Sequence, residues 1–145
     1  QDADLEYDPN DYFSLIEPFK NKNINIVYGS RVLGRSKNQK KTLIQLYRIF
    51  GNYVLTKFSN FINNQKLTDA HTCYKAFRFK ILNKIQLIED DFSFCPEVTT
   101  KFSNINENIY EVPISYNGRE YKDGKKIRFS DALKAVKVIL KYKYF

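Results

Sequence analysis

The run Asn23-Ile24-Asn25-Ile26-Val27-Tyr28-Gly29-Ser30-Arg31 decides the fold class. Ile24 to Tyr28 is rich in β-branched and aromatic side chains, and Gly29-Ser30 behind it is a turn signal, so residues 24–28 read as a short buried strand. Upstream, Asp8-Pro9 supplies an N-cap and a proline at the first helical position, and Tyr12, Phe13, Leu15, Ile16 and Phe19 give a helical apolar face to about Lys20. Downstream, residues 30–40 are polar and basic around Gly34 and read as a loop. Helix, strand and a second, longer helix in succession predict an α/β domain.

That second helix is expected from Lys41 to about Asn63. Lys41, Gln45, Arg48, Asn52, Ser59 and Asn63 recur at helical steps, and Leu43, Ile44, Leu46, Tyr47, Phe50, Tyr53, Val54, Phe58, Phe61 and Ile62 cover the other faces. Two readings fit so wide an apolar surface: a helix packed in the core, or one lying partly on a membrane surface. Arg48 and Lys57 argue against its spanning a bilayer. Further on, Gln65 to Thr72 reads as a loop, Tyr74–Phe79 as a strand, Ile81–Ile85 as a short helix, and Pro96 as the opening of a helix that carries Val98 and Phe102, with Glu97 complementing its dipole. Ile109–Ile114 has strand character but contains Pro113, which points to an edge position. Asn117-Gly118 is a turn, Gly124 sits in a second basic loop, and Asp131–Tyr144 is an amphipathic helix with Leu133, Val136, Ile139 and Leu140 on one face.

At 145 residues, 43% apolar and 28% charged, the chain suits one soluble domain with a core large enough to need no disulfides. Cys73 and Cys95 form neither a CxxC nor a Cys/His cluster, which excludes a disulfide-rich scaffold and a zinc finger. The apolar stretches fall well short of the ~20 residues of a membrane span, and the first residues do not resemble a signal peptide. The net charge of +8 is polarised: residues 1–17 hold six acids and no base, residues 31–80 eleven bases and one acid, Asp69. That pattern suits a cation site beside phosphate-bearing ligands, and the basic segments equally suit nucleic acid or an anionic membrane.

Three blocks carry candidate chemistry. If residues 2–6 end a strand, Asp2, Asp4 and Glu6 point the same way and can share Mg²⁺ or Mn²⁺, hard cations that bridge carboxylates to substrate phosphates; acids ahead of a helix also simply complement its dipole. In Leu67-Thr68-Asp69-Ala70-His71-Thr72-Cys73-Tyr74-Lys75, the isolated Asp69 is a candidate for orienting a substrate hydroxyl or a phosphate-binding base, against the plainer reading of a loop cap. His71, the only histidine, reads as a solvated loop residue rather than a metal ligand. Arg119, Lys125 and Lys126 flank the flexible Gly124 and can close over a pyrophosphate or an acceptor phosphate.

In this order the blocks resemble family 2 glycosyltransferases, in particular the polyprenyl-phosphate sugar transferases of the dolichol-phosphate mannose synthase type. The resemblance rests on Asp2-Ala3-Asp4 through Pro9, Val27-Tyr28-Gly29-Ser30-Arg31, Leu67-Thr68-Asp69 with Cys73-Tyr74-Lys75, Pro96-Glu97-Val98-Thr99-Thr100-Lys101, Glu111 through Tyr116, and Arg119 through Ile127, and it covers nearly the whole chain. It implies a Rossmann-like GT-A fold and a metal-dependent, inverting transfer from a nucleotide-sugar donor to a polyprenyl-phosphate acceptor. Asp2 and Asp4 are then the DxD metal acids with Glu6 as a third ligand, and the cofactor is Mg²⁺ or Mn²⁺. Arg31 and Arg119 contact donor or acceptor phosphate, Asp69 stands near the acceptor and sugar as an orienting group, and Lys125 and Lys126 belong to the closing loop. Cys95 and His71 stand where relatives frequently carry an acid.

The resemblance further implies peripheral contact with the inner face of the cytoplasmic membrane and no nucleic-acid partner. Residues 1–145 are expected to be one partial catalytic domain, from the DxD motif to the terminal helix. Because Gln1 has no preceding strand and the nucleotide-binding half of the family pattern is missing, a truncated transferase that is inactive by itself is expected. A non-catalytic basic binding module and an inactive remnant of a transferase are the alternatives.

Overall fold

The computed structural model describes residues 6–35, 42–118 and 129–145. Asp8 caps the start: its Oδ1 accepts from the Asn10 amide at 2.9 Å, Pro9–Asp11 form a 3-10 turn, and helix α1 (Tyr12–Ile16) continues it. Strand β1 (Ile26–Ser30) leads to helix α2 (Leu43–Asn63), then strand β2 (Lys75–Phe77), the one-turn helix α3 (Phe79–Leu82), helix α4 (Phe94–Asn104), strand β3 (Ile109–Pro113) and helix α5 (Phe129–Tyr144). Among the described residues the sheet order is β2-β1-β3, with β1 antiparallel to β2 and parallel to β3. The edge position expected for the Pro113 strand is where β3 lies in this sheet.

All five residues of β1 are buried, and their alternation divides the core. Ile26 and Tyr28 point to one face, where Leu67, Ala70, Ile81, Val98 and Phe102 pack; Val27 points to the other, against Tyr7, Leu15, Tyr74, Val112 and Ile114. Covered on both faces, β1 reads as a near-continuous apolar run, which is why it was visible from sequence. It starts later than expected and takes in Gly29 and Ser30, because the Gly29 amide donates to the Tyr74 carbonyl at 2.8 Å and the Ser30 carbonyl accepts from Ile114 at 3.2 Å. A Cβ at Gly29 would lie 2.7 Å from the Ile114 side chain, so close packing places glycine there.

Helix α2 opens with a capping box, Thr42 Oγ1 accepting from the Gln45 amide at 3.3 Å and Gln45 Oε1 from the Thr42 amide at 3.1 Å, and closes at Asn64 in the left-handed region (φ 51°). Its orientation differs from an ordinary core helix. Thr56, Ser59 and Asn63 are buried, Asn60 bonds the Leu67 backbone twice, and Asn63 Nδ2 donates to Thr100 Oγ1 at 3.2 Å. The opposite face leaves Leu43, Ile44, Leu46, Tyr47, Phe50, Tyr53, Val54 and Phe61 exposed, Leu43 and Phe61 at 84% each. The helix thus turns its polar stripe inward and its apolar surface outward, the reverse of the usual arrangement.

Helix α4 begins at Phe94, two residues ahead of the expected proline start, and Pro96 is accommodated in its first turn, where no intrahelical N–H is required. Glu97, expected only to complement the dipole, is fully buried. Its carboxylate accepts from the Ile88 and Glu89 amides, both at 2.9 Å, and from Lys101 Nζ at 2.5 Å, tying the irregular segment before α4 to that helix. Helix α5 packs on α4 and α2 through Ala135, Val138 and Ile139, while Leu133 is exposed, so the buried stripe is rotated from the one anticipated. No helix among the described residues is long and apolar enough to cross a membrane.

Candidate functional site

The site lies where β1 ends and the chain turns at Arg31. The loop between α2 and β2 brings Asp69, fully buried, against that turn. Asp69 Oδ2 accepts from Arg31 Nε at 2.6 Å and Oδ1 from Arg31 Nη2 at 2.8 Å, a two-pronged ion pair, and the Arg31 backbone amide adds a third donor at 3.2 Å. Asn52 of α2 supplies a fourth, Nδ2 to Oδ1 at 3.1 Å. Burial by itself pushes the Asp69 carboxyl up, yet the Arg31 charge and these donors overcome it and hold the group down to about 2. Asp69 is therefore a permanent anion that fixes a guanidinium, and a poor proton acceptor.

The loop is held from β3. Glu111 Oε2 accepts from the Thr68 amide at 2.8 Å and the Thr68 hydroxyl at 3.0 Å, and Glu111 Oε1 accepts from the Asp69 amide at 3.0 Å. Register places it: Lys75, Tyr28 and Glu111 lie opposite one another across the three strands, so all three project from one face. The Ser30 and Thr68 hydroxyls, 2.6 Å apart, close the contact between strand and loop. Glu111 and Asn52 carry no assigned role in the sequence reading. A lone acid in an edge strand and an asparagine on a helix both look solvent-facing until the partner segment is in place.

Arg31 keeps 18% of its side chain exposed. On its other side Arg31 Cζ sits 5.1 Å from the Tyr116 ring centre, and the Tyr116 hydroxyl donates to Glu6 Oε2 at 2.8 Å. Tyr7 stacks on Tyr74 at 4.6 Å and meets Tyr116 at 5.2 Å. Burial drives the Tyr7 and Tyr116 hydroxyls well above the ordinary tyrosine range, so both remain protonated donors at neutral pH.

Of the sequence-derived site residues, the buried Glu6 and Asp69 are joined through the half-buried Tyr116 and Arg31 into one network. Asp2, Asp4, Arg119, Lys125 and Lys126 lie outside the described residues. Among the described residues no three His, Cys, Asp or Glu side chains converge as a metal-binding group. Glu6 is an oxygen donor of the kind a hard divalent cation takes, 7% exposed and already accepting the Tyr116 proton.

His71 differs from the solvated loop residue expected. Its Nε2 is buried without a hydrogen-bond partner among the described residues, and burial together with the Lys75 and Arg31 charges lowers the imidazole to about 4, against a smaller opposing pull from Asp69. Close by, Cys95 Sγ lies 3.4 Å from Lys75 Nζ and 3.5 Å from the carbonyl oxygen of Thr72, the residue before Cys73.

The turn that presents Arg31 also depends on Gly34, whose amide donates to the Ser30 carbonyl at 3.2 Å. A Cβ there would lie 2.0 Å from the Ile114 carbonyl oxygen. Gly34→Ala is expected to lift the turn off the end of β3 and cost roughly 1–3 kcal/mol in urea unfolding; an unchanged midpoint would show that the turn is not held against Ile114.

The glycosyl transferase family 2 model matches residues 1–86. The chain is 26% identical to the low-salt glycan biosynthesis hexosyltransferase Agl6 of Haloferax volcanii over 119 residues, 82% of this chain and 28% of that protein. A segment of 71 residues is 41% identical to the actin-related protein 10 of Dictyostelium discoideum, covering 46% of this chain and 14% of that protein. The chain thus spans less than a third of the length of either relative. No solved structure matches it.

Proposed function

The chain belongs to glycosyl transferase family 2, and from that premise we propose that it contributes the acceptor side of a metal-dependent, inverting hexosyltransferase that moves sugar from a nucleotide-sugar to a polyprenyl phosphate at a membrane surface. The observation that carries this reading is the inverted helix α2. Its inward stripe includes Asn52, bonded to Asp69, while its outward face is a row of exposed apolar side chains, so one helix links the anion-binding end of β1 to a surface suited to lipid. The charges of the helix and its flanking sequence fit an anionic leaflet: α2 carries Arg48 and Lys57, residues 31–68 contain no acid, and the next one, Asp69, is buried and paired. The hexosyl group is suggested by the archaeal relative.

In this mechanism Asp69 and Asn52 hold Arg31 at a fixed angle, so that its guanidinium faces the phosphate of donor or acceptor without reorganising during the reaction. Tyr116 supports the guanidinium from the opposite side and keeps Glu6 in place. An ionised acceptor phosphate attacks the anomeric carbon as nucleoside diphosphate departs. The nucleophile already carries its charge, so no general base is required, in keeping with an Asp69 held down to about 2. Asp2, Asp4 and Glu6 would hold Mg²⁺ or Mn²⁺, which supplies neutralisation of the diphosphate charge. Arg119, Lys125 and Lys126 would cover the phosphates.

The test is a transfer assay with the full-length protein, labelled nucleotide-hexoses, polyprenyl phosphate in detergent, and Mg²⁺ or Mn²⁺. Label is expected in the organic-extractable lipid, lost with chelator and restored by metal. Label appearing only on a water-soluble saccharide would overturn the lipid acceptor. No transfer, with salt-sensitive oligonucleotide binding instead, would replace the enzyme by a basic binding module.

A further inference from the structure

Cys73 and Cys95 are the only cysteines of the sequence, and the fold brings them together from separate elements. Cys73 precedes β2, in the loop that carries Asp69; Cys95 lies in the first turn of α4. The Cys95 thiol reaches the carbonyl oxygen of Thr72, the residue bonded to Cys73. Lys75 Nζ is 3.4 Å from Cys95 Sγ, and it also donates to the Ala70 carbonyl at 3.3 Å and to the Thr72 carbonyl. As a thiol, Cys95 has the Thr72 carbonyl as its own acceptor at 3.5 Å. Both cysteines are half-buried. Neither thiol has a part in the transfer mechanism above.

From this arrangement we propose that Cys73 and Cys95 form a dithiol exchange site for a low-molecular-weight disulfide, with Cys95 attacking and Cys73 resolving. Two features favour Cys95 as the attacking sulfur: the ammonium of Lys75, and a place in the first turn of an eleven-residue helix, where the backbone dipole stabilises an anion. The Cys73 contact and the Lys75 charge outweigh burial and bring the Cys95 thiol down to about 6.

The chemistry balances with the disulfide as oxidant. Cys95 thiolate attacks one sulfur of, for example, oxidised glutathione; a Cys95–glutathione bond forms, the glutathione S–S bond breaks, and one glutathione thiolate leaves. Cys73, losing its proton to solvent or to the departing thiolate, then attacks Cys95 Sγ and expels the second glutathione. Two protein thiols become one disulfide, and one glutathione disulfide becomes two thiols. The bond formed would pin the Asp69 loop to α4 and leave Lys75 without its anionic neighbour.

The test incubates the native full-length protein with oxidised glutathione, quenches with acid, and maps peptides by mass spectrometry without reduction. Wild type is expected to yield a Cys73–Cys95 linked peptide. Cys73→Ser should stop with glutathione on Cys95, and Cys95→Ser should react at least tenfold more slowly at Cys73. Lys75→Gln, which leaves both cysteines in place, should slow the first step several-fold. Native protein whose Cys73 and Cys95 both stay unmodified, yet react once unfolded, would overturn the proposal, as would Cys73 reacting as fast as Cys95. Because the readout is peptide mass, it is independent of whether the chain transfers sugar.

Discussion

Asp69→Ala is expected to reduce glycosyl transfer by roughly 10²–10³-fold and to remove about 3–5 kcal/mol of stability. Asp69 is completely buried and receives donors from Arg31 Nε, Arg31 Nη2, the Arg31 amide and Asn52. Its removal leaves a guanidinium enclosed by protein with no counter-charge, which is the costly way to disrupt a buried pair. It also frees Arg31 to rotate away from the phosphate it is proposed to meet, so loss of activity should exceed what the unfolded fraction explains. Arg31→Met reverses the problem and leaves the carboxylate alone. The double variant Arg31→Met/Asp69→Ala should therefore unfold at a higher urea concentration than the sum of the two single losses predicts. Strict additivity would mean the two groups do not act as a pair.

The same ion pair sets one limit of acid stability. Asp69 is depressed to about 2 from an ordinary value of 3.8, so its contribution is complete above about pH 4 and is lost as pH falls toward 2. That loss is on the order of 2 kcal/mol, because each unit of displacement is worth about 1.4 kcal/mol.

A separate and earlier acid transition is expected from His71. Its imidazole is lowered to about 4 from 6.5 by burial and by the Lys75 and Arg31 charges, only partly opposed by Asp69. Between those two values the unfolded chain binds a proton that the folded chain refuses, so stability is full above about pH 6.5 and falls as pH drops toward 4. The expected loss is on the order of 3 kcal/mol across that window. Urea unfolding at pH 7.5 and pH 4.5 measures it directly. His71→Leu, which removes an imidazole whose buried Nε2 has no partner among the described residues, should flatten the dependence and raise the midpoint at pH 4.5. A wild-type slope in that variant would assign the transition to other groups.

Much of the fold was visible in the residues because it follows from local patterning. The Ile26-Val27-Tyr28 run can hardly avoid being a buried strand, the periodic residues of α2 span more than five turns, and Asp8-Pro9 announces its helix. Errors fell where local chemistry admits two answers. Gly29-Ser30 looks like a turn, yet continues β1 because its backbone pairs with Tyr74 and Ile114. His71 sits in a polar stretch and reads as solvated, but its Nε2 is buried in the fold.

By itself the sequence determined the α/β class, the order of elements, and the isolation of Asp69 among bases, since these depend on periodicity and composition that no distant contact can alter. Only the tertiary structure decided what Asp69 meets and which side of α2 is covered. A carboxylate chooses among the eleven bases of residues 31–80 by three-dimensional position, and β1 ends where Arg31 can grip it. A helix with polar and apolar faces is equally amphipathic whichever face turns inward; here the asparagines and threonines of α2 and α4 find one another, and that pairing leaves the apolar face outside.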